Sequence, residues 1–92
     1  MKTEAAEALA AQALAWMARD DELVGRFLAS TGAAPGDLAQ AAGDPAFLGF
    51  VLDFLMADEE SARAFAEAER LPPEMLRTAR ARLPGGMTPE WT

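Results

Sequence analysis

The 92-residue chain contains no cysteine, no histidine and no tyrosine. The absence of cysteine excludes disulfides, thiolate metal sites and cysteine nucleophiles. The absence of histidine removes the side chain that most often serves as a general base, and none of the serines and threonines lies in a glycine-flanked nucleophile motif. We therefore predict that the protein is not an enzyme and that it uses no cofactor and no metal.

Long apolar runs are also missing. The longest, residues 46–56, is interrupted by Asp53 and is about half the ~20 residues that a membrane span requires. Residues 1–18 carry Glu4 and Glu7 against Lys2, and they lack the basic start and unbroken apolar stretch of a signal peptide. The sequence predicts a cytoplasmic protein with no membrane partner, and no small-molecule substrate is evident.

Positive charge is scarce, since 8 Lys and Arg stand against 15 Asp and Glu and give a formal net charge of −7. Nucleic acids and anionic lipid surfaces attract cationic residues, so this balance argues against non-specific binding to either. Residues 70–82 are the exception, because Arg70, Arg77, Arg80 and Arg82 stand there against Glu74 alone. The end of the chain is therefore locally positive on an acidic body.

The sequence nearly repeats itself after 38 positions, which indicates one helical unit used twice. The pseudo-repeats cover about residues 8–43 and 46–81. Because a chain of this length cannot support two separate cores, both copies are expected to share one domain over residues 1–86. Identical residues in the two copies are Ala8, Leu14, Asp20, Glu22, Phe27, Pro35, Leu38 and Ala41, matched by Ala46, Leu52, Asp58, Glu60, Phe65, Pro73, Leu76 and Ala79.

The pattern predicts an all-α fold: a single compact bundle of five to six short helices. No segment alternates like a strand, and the chain has two valines and no isoleucine. Predicted helices cover residues 4–19, 21–30, 36–42 and 46–57, a stretch after Asp58, and 74–83, with Thr3, Asp20, Asp44 and Asp58 as N-caps. The fourth is apolar nearly all round, which predicts a central position. Residues 87–92 are predicted to be a flexible tail, with a short return segment pinned by Trp91 as the alternative.

Several of these cap, turn and core residues also carry a family resemblance. They are residues 43–48, 51–55 and 58–59, together with residues 27–32, Pro35, Leu38 and residues 71–73. Over about residues 8–86 the chain resembles a family of short, mainly alphaproteobacterial proteins known only as a domain of unknown function. The resemblance implies a soluble, intracellular, all-helical bacterial protein. It supplies no catalytic or binding residue.

Acidic residues provide two candidate sites. The triplets at residues 20–22 and 58–60 could ligate a divalent cation, but their position predicts N-caps followed by a dipole-favoured first turn. Asp53, the lone charge of the most apolar helix, is the best candidate for a perturbed acid. It either pairs with an arginine or accepts hydrogen bonds if it is buried, or it lies in a narrow solvent seam.

The arginines Arg77, Arg80 and Arg82 form a candidate interaction surface on the last helix, where Arg77 and Arg80 are predicted to share the outer side. Pairing with Glu67, Glu69 or Glu74, contact with a protein partner or a second copy, and binding of nucleic acid or another anion remain open.

The aromatic residues Phe47, Phe50 and Phe54 are predicted to be core, with an exposed flank that forms an apolar groove or a dimer interface as the alternative.

These features together predict a non-catalytic, small cytoplasmic helical protein that acts through protein–protein contacts, as an adaptor, a regulator or a homodimer. The alternative is a nucleic-acid-associated regulator that uses the arginine-bearing last helix.

Overall fold

The computed structural model describes residues 1–83, and at positions 35 and 41 the backbone only. Over this range the all-α prediction is confirmed, with six α-helices and no strand. The helices are α1 (Thr3–Ala18), α2 (Asp21–Thr31), α3 (Leu38–Ala41), α4 (Pro45–Ala57), α5 (Glu59–Ala68) and α6 (Glu74–Ala81), and a 3₁₀ turn, Pro35–Asp37, leads into α3. The predicted tail at 87–92, including Trp91, lies outside the described residues.

Three of the four predicted N-caps are confirmed. The carboxylate of Asp20 accepts hydrogen bonds from the amides of Glu22 and Leu23 at 3.1 and 3.2 Å. Asp44 and Asp58 each accept one from the amide two residues on, at 3.0 and 3.2 Å. These bonds satisfy amides that a helix start leaves without an internal partner.

The predicted cap at Thr3 is wrong. Helix α1 already includes Thr3, and Lys2 occupies the cap position without a side-chain hydrogen bond. The amide of Ala6 donates to the carbonyl of Lys2 at 3.0 Å, so the first helical hydrogen bond starts one residue earlier than predicted. Lysine has no short oxygen-bearing side chain with which to accept from the first amides.

The shape of the third helical segment also differs from prediction. Instead of one helix over residues 36–42, the chain forms a 3₁₀ turn and then the single α-helical turn of α3. Its matching segment in the second copy is α6, which is twice as long and packs on both α1 and α4. The two copies are therefore least alike in their third helix.

Two aromatic contacts join positions that match each other under the 38-residue shift. The ring of Trp16 meets that of Phe65 edge-on at 5.6 Å, and the ring of Phe54 meets that of Phe27 edge-on at 5.3 Å. A shift of 38 positions places Trp16 on Phe54 and Phe27 on Phe65. The two contacts therefore join equivalent positions, with the two halves of the sequence exchanged. Helices α1 and α4 pack together at the centre, with α2 on α1 and α5 on α4.

Helix α4 contacts α1, α5 and α6, which agrees with its predicted central position. Its residues Leu48, Val51, Leu52 and Leu55 are buried. The three phenylalanines do not all follow the core prediction, because Phe47 and Phe54 are partly buried whereas Phe50 is 47% exposed. The short α3 does not pack along α4 as α6 does along α1, and this leaves one flank of α4 open to solvent.

The left-handed residue that ends α2 has a counterpart at the end of α5. Gly32 has φ = 79°, and Arg70, 38 positions later, has φ = 57°. The amide of Leu71 donates to the carbonyl of Ala66 at 2.7 Å and that of Arg70 to Glu67 at 3.2 Å, the hydrogen-bond pattern of a Schellman cap. Arginine therefore occupies a position that favours glycine.

Replacing Arg70 with glycine is expected to raise the free energy of unfolding by about 0.5–1 kcal/mol. The left-handed conformation costs a residue with a Cβ roughly 1–2 kcal/mol, and the greater freedom of glycine in the unfolded chain offsets part of the gain. Urea denaturation followed by circular dichroism measures the change. Gly32→Ala is the matched control, because it places a Cβ at the equivalent position and should destabilise the protein. A lower stability for Arg70→Gly would contradict the prediction.

No helix within residues 1–83 combines the length and the apolarity needed to cross a bilayer.

Candidate functional site

The predicted arginine surface is divided by the fold. Arg77 and Arg82 are exposed, whereas the side chain of Arg80 is only 12% exposed. Its Nε donates to Oδ1 of Asp53 at 2.7 Å, and its Nη1 donates to the carbonyl of Leu83 at 2.9 Å. The prediction that Arg77 and Arg80 share the outer side is therefore wrong for Arg80, which turns towards α4.

Asp53 and Arg80 form a structural ion pair between α4 and α6. The Asp53 side chain is 37% exposed, so it lies at the solvent edge of the central helix while it holds the guanidinium. Nη2 of Arg80 is buried and has no hydrogen-bond partner within the described residues. Arg80 is the candidate arginine that pairs with Asp53, and the local acids Glu67, Glu69 and Glu74 form no ion pair within residues 1–83.

Arg77 lies instead beside a cleft between α5 and α6, which we call the α5–α6 cleft. The cleft has a volume of about 320 Å³. It is lined by Met56, Glu59, Ala62, Arg63, Pro73, Leu76 and Arg77. Arg63, which no sequence motif marks as a site residue, comes from α5 and Arg77 from α6, so each side of the cleft carries one guanidinium.

Arg63 and Arg77 are both exposed, and neither forms an ion pair within residues 1–83. Glu59 lies one turn before Arg63 on α5. Because the lining contains two arginines and one glutamate, its net charge is positive. The lining also contains the apolar residues Met56, Ala62 and Pro73, together with the buried Leu76. A guanidinium can bind a carboxylate through two parallel hydrogen bonds, so the cleft combines anion-binding groups with an apolar contact.

The acidic triplets act as caps in the structure, as predicted. Around them, a cavity of about 290 Å³ brings together positions from both copies, and it is lined by Trp16, Asp20, Glu22, Leu23, Arg26, Asp58, Glu60, Ser61 and Ala64. Nη2 of Arg26 lies 3.6 Å from Oδ2 of Asp58. Within residues 1–83 no group of three or more acidic side chains is arranged to hold a metal ion.

The Ser61 hydroxyl, which donates to Oδ2 of Asp58 at 2.8 Å, lowers the pKa of the Asp58 carboxyl below its ordinary value of 3.8. Burial opposes this effect, and the amides of Ser61 and Glu60 and the charge of Arg26 reinforce it. The contacts that lower the pKa all stabilise the ionised form of the Asp58 carboxyl.

The contribution of Asp58 to stability is expected to be lost in acid. Since the pKa is lower in the folded protein than in the unfolded chain, this contribution is complete above about pH 3.8 and disappears as the pH falls through the folded value. Thermal melts between pH 2 and 6 should show a smaller acid-induced decrease for Asp58→Asn than for the wild type. Ser61→Ala, which removes the largest cause, should give most of the same change. Parallel pH profiles for all three proteins would contradict the assignment.

Comparison with known proteins finds one family. A family model described as "Protein of unknown function (DUF3572)" matches residues 3–86. Neither the curated proteins nor the solved structures include a match to the chain.

Proposed function

Since the chain belongs to the DUF3572 family of proteins of unknown function, we propose a function from the geometry of its surface. The sequence motifs had indicated an uncharacterised family. The protein is a small, non-catalytic, cytoplasmic helical module that works as an adaptor or regulator by binding another protein. Its α5–α6 cleft binds a partner segment that carries carboxylates around an apolar side chain. The observation behind this proposal is the pair of arginines, Arg63 and Arg77, that flank an apolar lining without an ion pair among the described residues.

The internal duplication supports a role for these arginines beyond folding. A shift of 38 positions places Arg63 on Gly25 and Arg77 on Ala39, so the first copy builds its helices without either charge. Both side chains are exposed, and exposed charges far from a partner contribute little to stability. The arginines are thus an addition to one copy of the scaffold, as expected of a recognition surface.

The charge of the protein favours an acidic segment of a different protein over a second copy. A formal charge of −7 makes two copies repel each other at low ionic strength. The same charge opposes nucleic acid. Because Arg80 pairs with Asp53, two of the three candidate arginines are exposed, Arg77 on α6 and Arg82 just after it. A protein partner therefore accounts for the cleft better than the nucleic-acid alternative does.

A library of labelled peptides that place leucine or phenylalanine among aspartates and glutamates tests the proposal by fluorescence anisotropy. We expect at least one class of acidic peptide to bind and the double variant Arg63→Glu/Arg77→Glu to weaken that binding by about tenfold or more, because each reversal replaces attraction with repulsion. Arg19→Glu/Arg82→Glu is the matched control, since it changes the net charge equally at exposed arginines outside the cleft. It should weaken binding by no more than about threefold.

Two results would overturn the proposal. The first is the absence of binding by any acidic peptide, and the second is equal loss in the cleft and control variants. A labelled DNA duplex is included in the same assay. Tight duplex binding that falls steeply with salt and is lost in Arg77→Glu would support the nucleic-acid function instead.

A further inference from the structure

A second surface lies at the other end of α4, around the exposed Phe50. A pocket of about 380 Å³ opens here between the end of α2 and the first turns of α4, and we call it the Phe50 pocket. It is lined by Ser30, Thr31, Gly32, Ala33, Phe47 and Phe50, none of which is charged. The pocket is separate from the α5–α6 cleft and shares no lining residue with it.

The exposed ring of Phe50 is not required by the packing of the bundle. The matching position in the first copy is Gln12, which is also exposed and packs no apolar side chain into the core. The same helical position is therefore compatible with a polar residue. The apolar ring in the second copy therefore makes that face of α4 more apolar than the fold requires.

The position that matches one lining residue carries a larger side chain in the second copy. Ala33 corresponds to Leu71, and Leu71 is a partly buried residue that packs against the core after the end of α5. Alanine lacks three of the four side-chain carbons of leucine. The Phe50 pocket is thus the place where the first copy lacks a leucine side chain that the second copy has.

The charges beside the pocket are negative. Asp37 accepts a hydrogen bond from the amide of Ala34, next to the lining residue Ala33. Asp44 caps α4 three residues before Phe47. Both aspartates are exposed, and neither forms an ion pair within residues 1–83.

From these observations we infer that the Phe50 pocket is a second docking surface, which receives the leucine side chain of a basic segment in a partner protein. The leucine lies against Ala33, at the position where the other copy carries Leu71. Arginines or lysines on either side of it face the carboxylates of Asp37 and Asp44. This surface differs from the α5–α6 cleft in charge, so the two recognise different segments.

A nine-residue peptide with a central leucine and two arginines on each side is a suitable probe. Titration of ¹⁵N-labelled protein with this peptide to about 5 mM should shift the backbone amides of residues 30–34 and 46–50 in a saturable manner. A pocket for one side chain is expected to bind weakly, with a Kd of roughly 0.1–1 mM. The same peptide with serine in place of leucine should bind about tenfold more weakly, since a buried leucine side chain accounts for most of the apolar contact.

Protein variants separate the apolar contact from the charge. Phe50→Gln installs the residue of the matching position and should weaken binding about tenfold with little change in melting temperature, because the ring is half exposed. Ala33→Leu should fill the pocket, weaken binding by a similar factor and raise the melting temperature. Asp37→Asn/Asp44→Asn keeps hydrogen-bond acceptors at both positions and should weaken binding several-fold while flattening its salt dependence.

Gln12→Ala and Arg63→Glu/Arg77→Glu serve as controls and should leave this binding unchanged, so the two surfaces are tested independently. Absence of saturable shifts, or equal binding of the serine peptide, would overturn the inference. Sedimentation analysis adds a further decisive outcome. A dimer that Phe50→Gln abolishes would show that this face binds a second copy rather than a basic segment.

Discussion

Replacing Phe27 with alanine is expected to lower the free energy of unfolding by about 4 kcal/mol, the largest of the expected effects on stability. Phe27 is completely buried, and its ring meets those of Phe47 and Phe54 edge-on at 5.5 and 5.3 Å. The substitution removes the buried ring and leaves a cavity that its neighbours cannot fill. It also removes two aromatic contacts worth roughly 0.5–1.5 kcal/mol each.

The matched control is Phe65→Ala, in the equivalent position of the second copy. Phe65 is also completely buried but has one edge-on partner, Trp16, at 5.6 Å. We expect its loss to cost about 3 kcal/mol, roughly 1 kcal/mol less than the loss of Phe27. Urea denaturation with a common slope measures both values. A larger effect at Phe65 than at Phe27 would show that the aromatic contacts do not set the difference.

Replacing Asp53 with alanine is expected to lower the free energy of unfolding by about 2–3 kcal/mol, the largest effect expected for a charged residue. The substitution leaves the guanidinium of Arg80 largely enclosed without its anionic partner, while one of its nitrogens already lacks a hydrogen bond within the described residues. Breaking a buried ion pair by removing one member costs roughly 3–5 kcal/mol, and the partial exposure of Asp53 reduces this value because water reaches the vacated site.

The opposite substitution should be milder. Arg80→Met leaves Asp53 at the solvent edge, where water can hydrate the carboxylate, and the methionine retains apolar contact with α4. We expect a cost of about 1 kcal/mol, and a similar value for the double variant Asp53→Ala/Arg80→Met. Arg77→Met, at an exposed site on the same helix, should change stability by less than about 0.5 kcal/mol. Equal costs for Asp53→Ala and Arg80→Met would contradict the asymmetric burial of the pair.

The ends of the helices were largely predictable because local chemistry determines them. Aspartate at positions 20, 44 and 58 places a short carboxylate two residues before the amides that need an acceptor, and Gly32 adopts the left-handed conformation that ends α2. Arg70 adopts the same conformation at the matching position without the glycine that makes such an end recognisable. Local rules identify helix ends only where the residue type is specific for the conformation.

The partners of the candidate site residues were not predictable in the same way. Asp53 and Arg80 are separated by 27 positions. The sequence predicted an arginine as one alternative partner of Asp53 without indicating which one, and it offered Glu67, Glu69 or Glu74 as partners of the arginines. Arg63 and Arg77 meet at one cleft only because α5 and α6 both pack on α4. Helical periodicity gives the direction of a side chain relative to its own helix axis, but the crossing of two helices decides which neighbour it meets.

The sequence by itself determined the helical class, the 38-residue repeat pattern and three of the four predicted caps, because these depend on residues within a few positions of each other and on the match between the two halves. The tertiary structure decided the pairing of Asp53 with Arg80, the exposure of Phe50 and the convergence of Arg63 with Arg77. Each of these depends on how far one helix extends across another. The one-turn α3 and the longer α6 make the two halves differ in that respect, and both proposed binding surfaces lie where they differ.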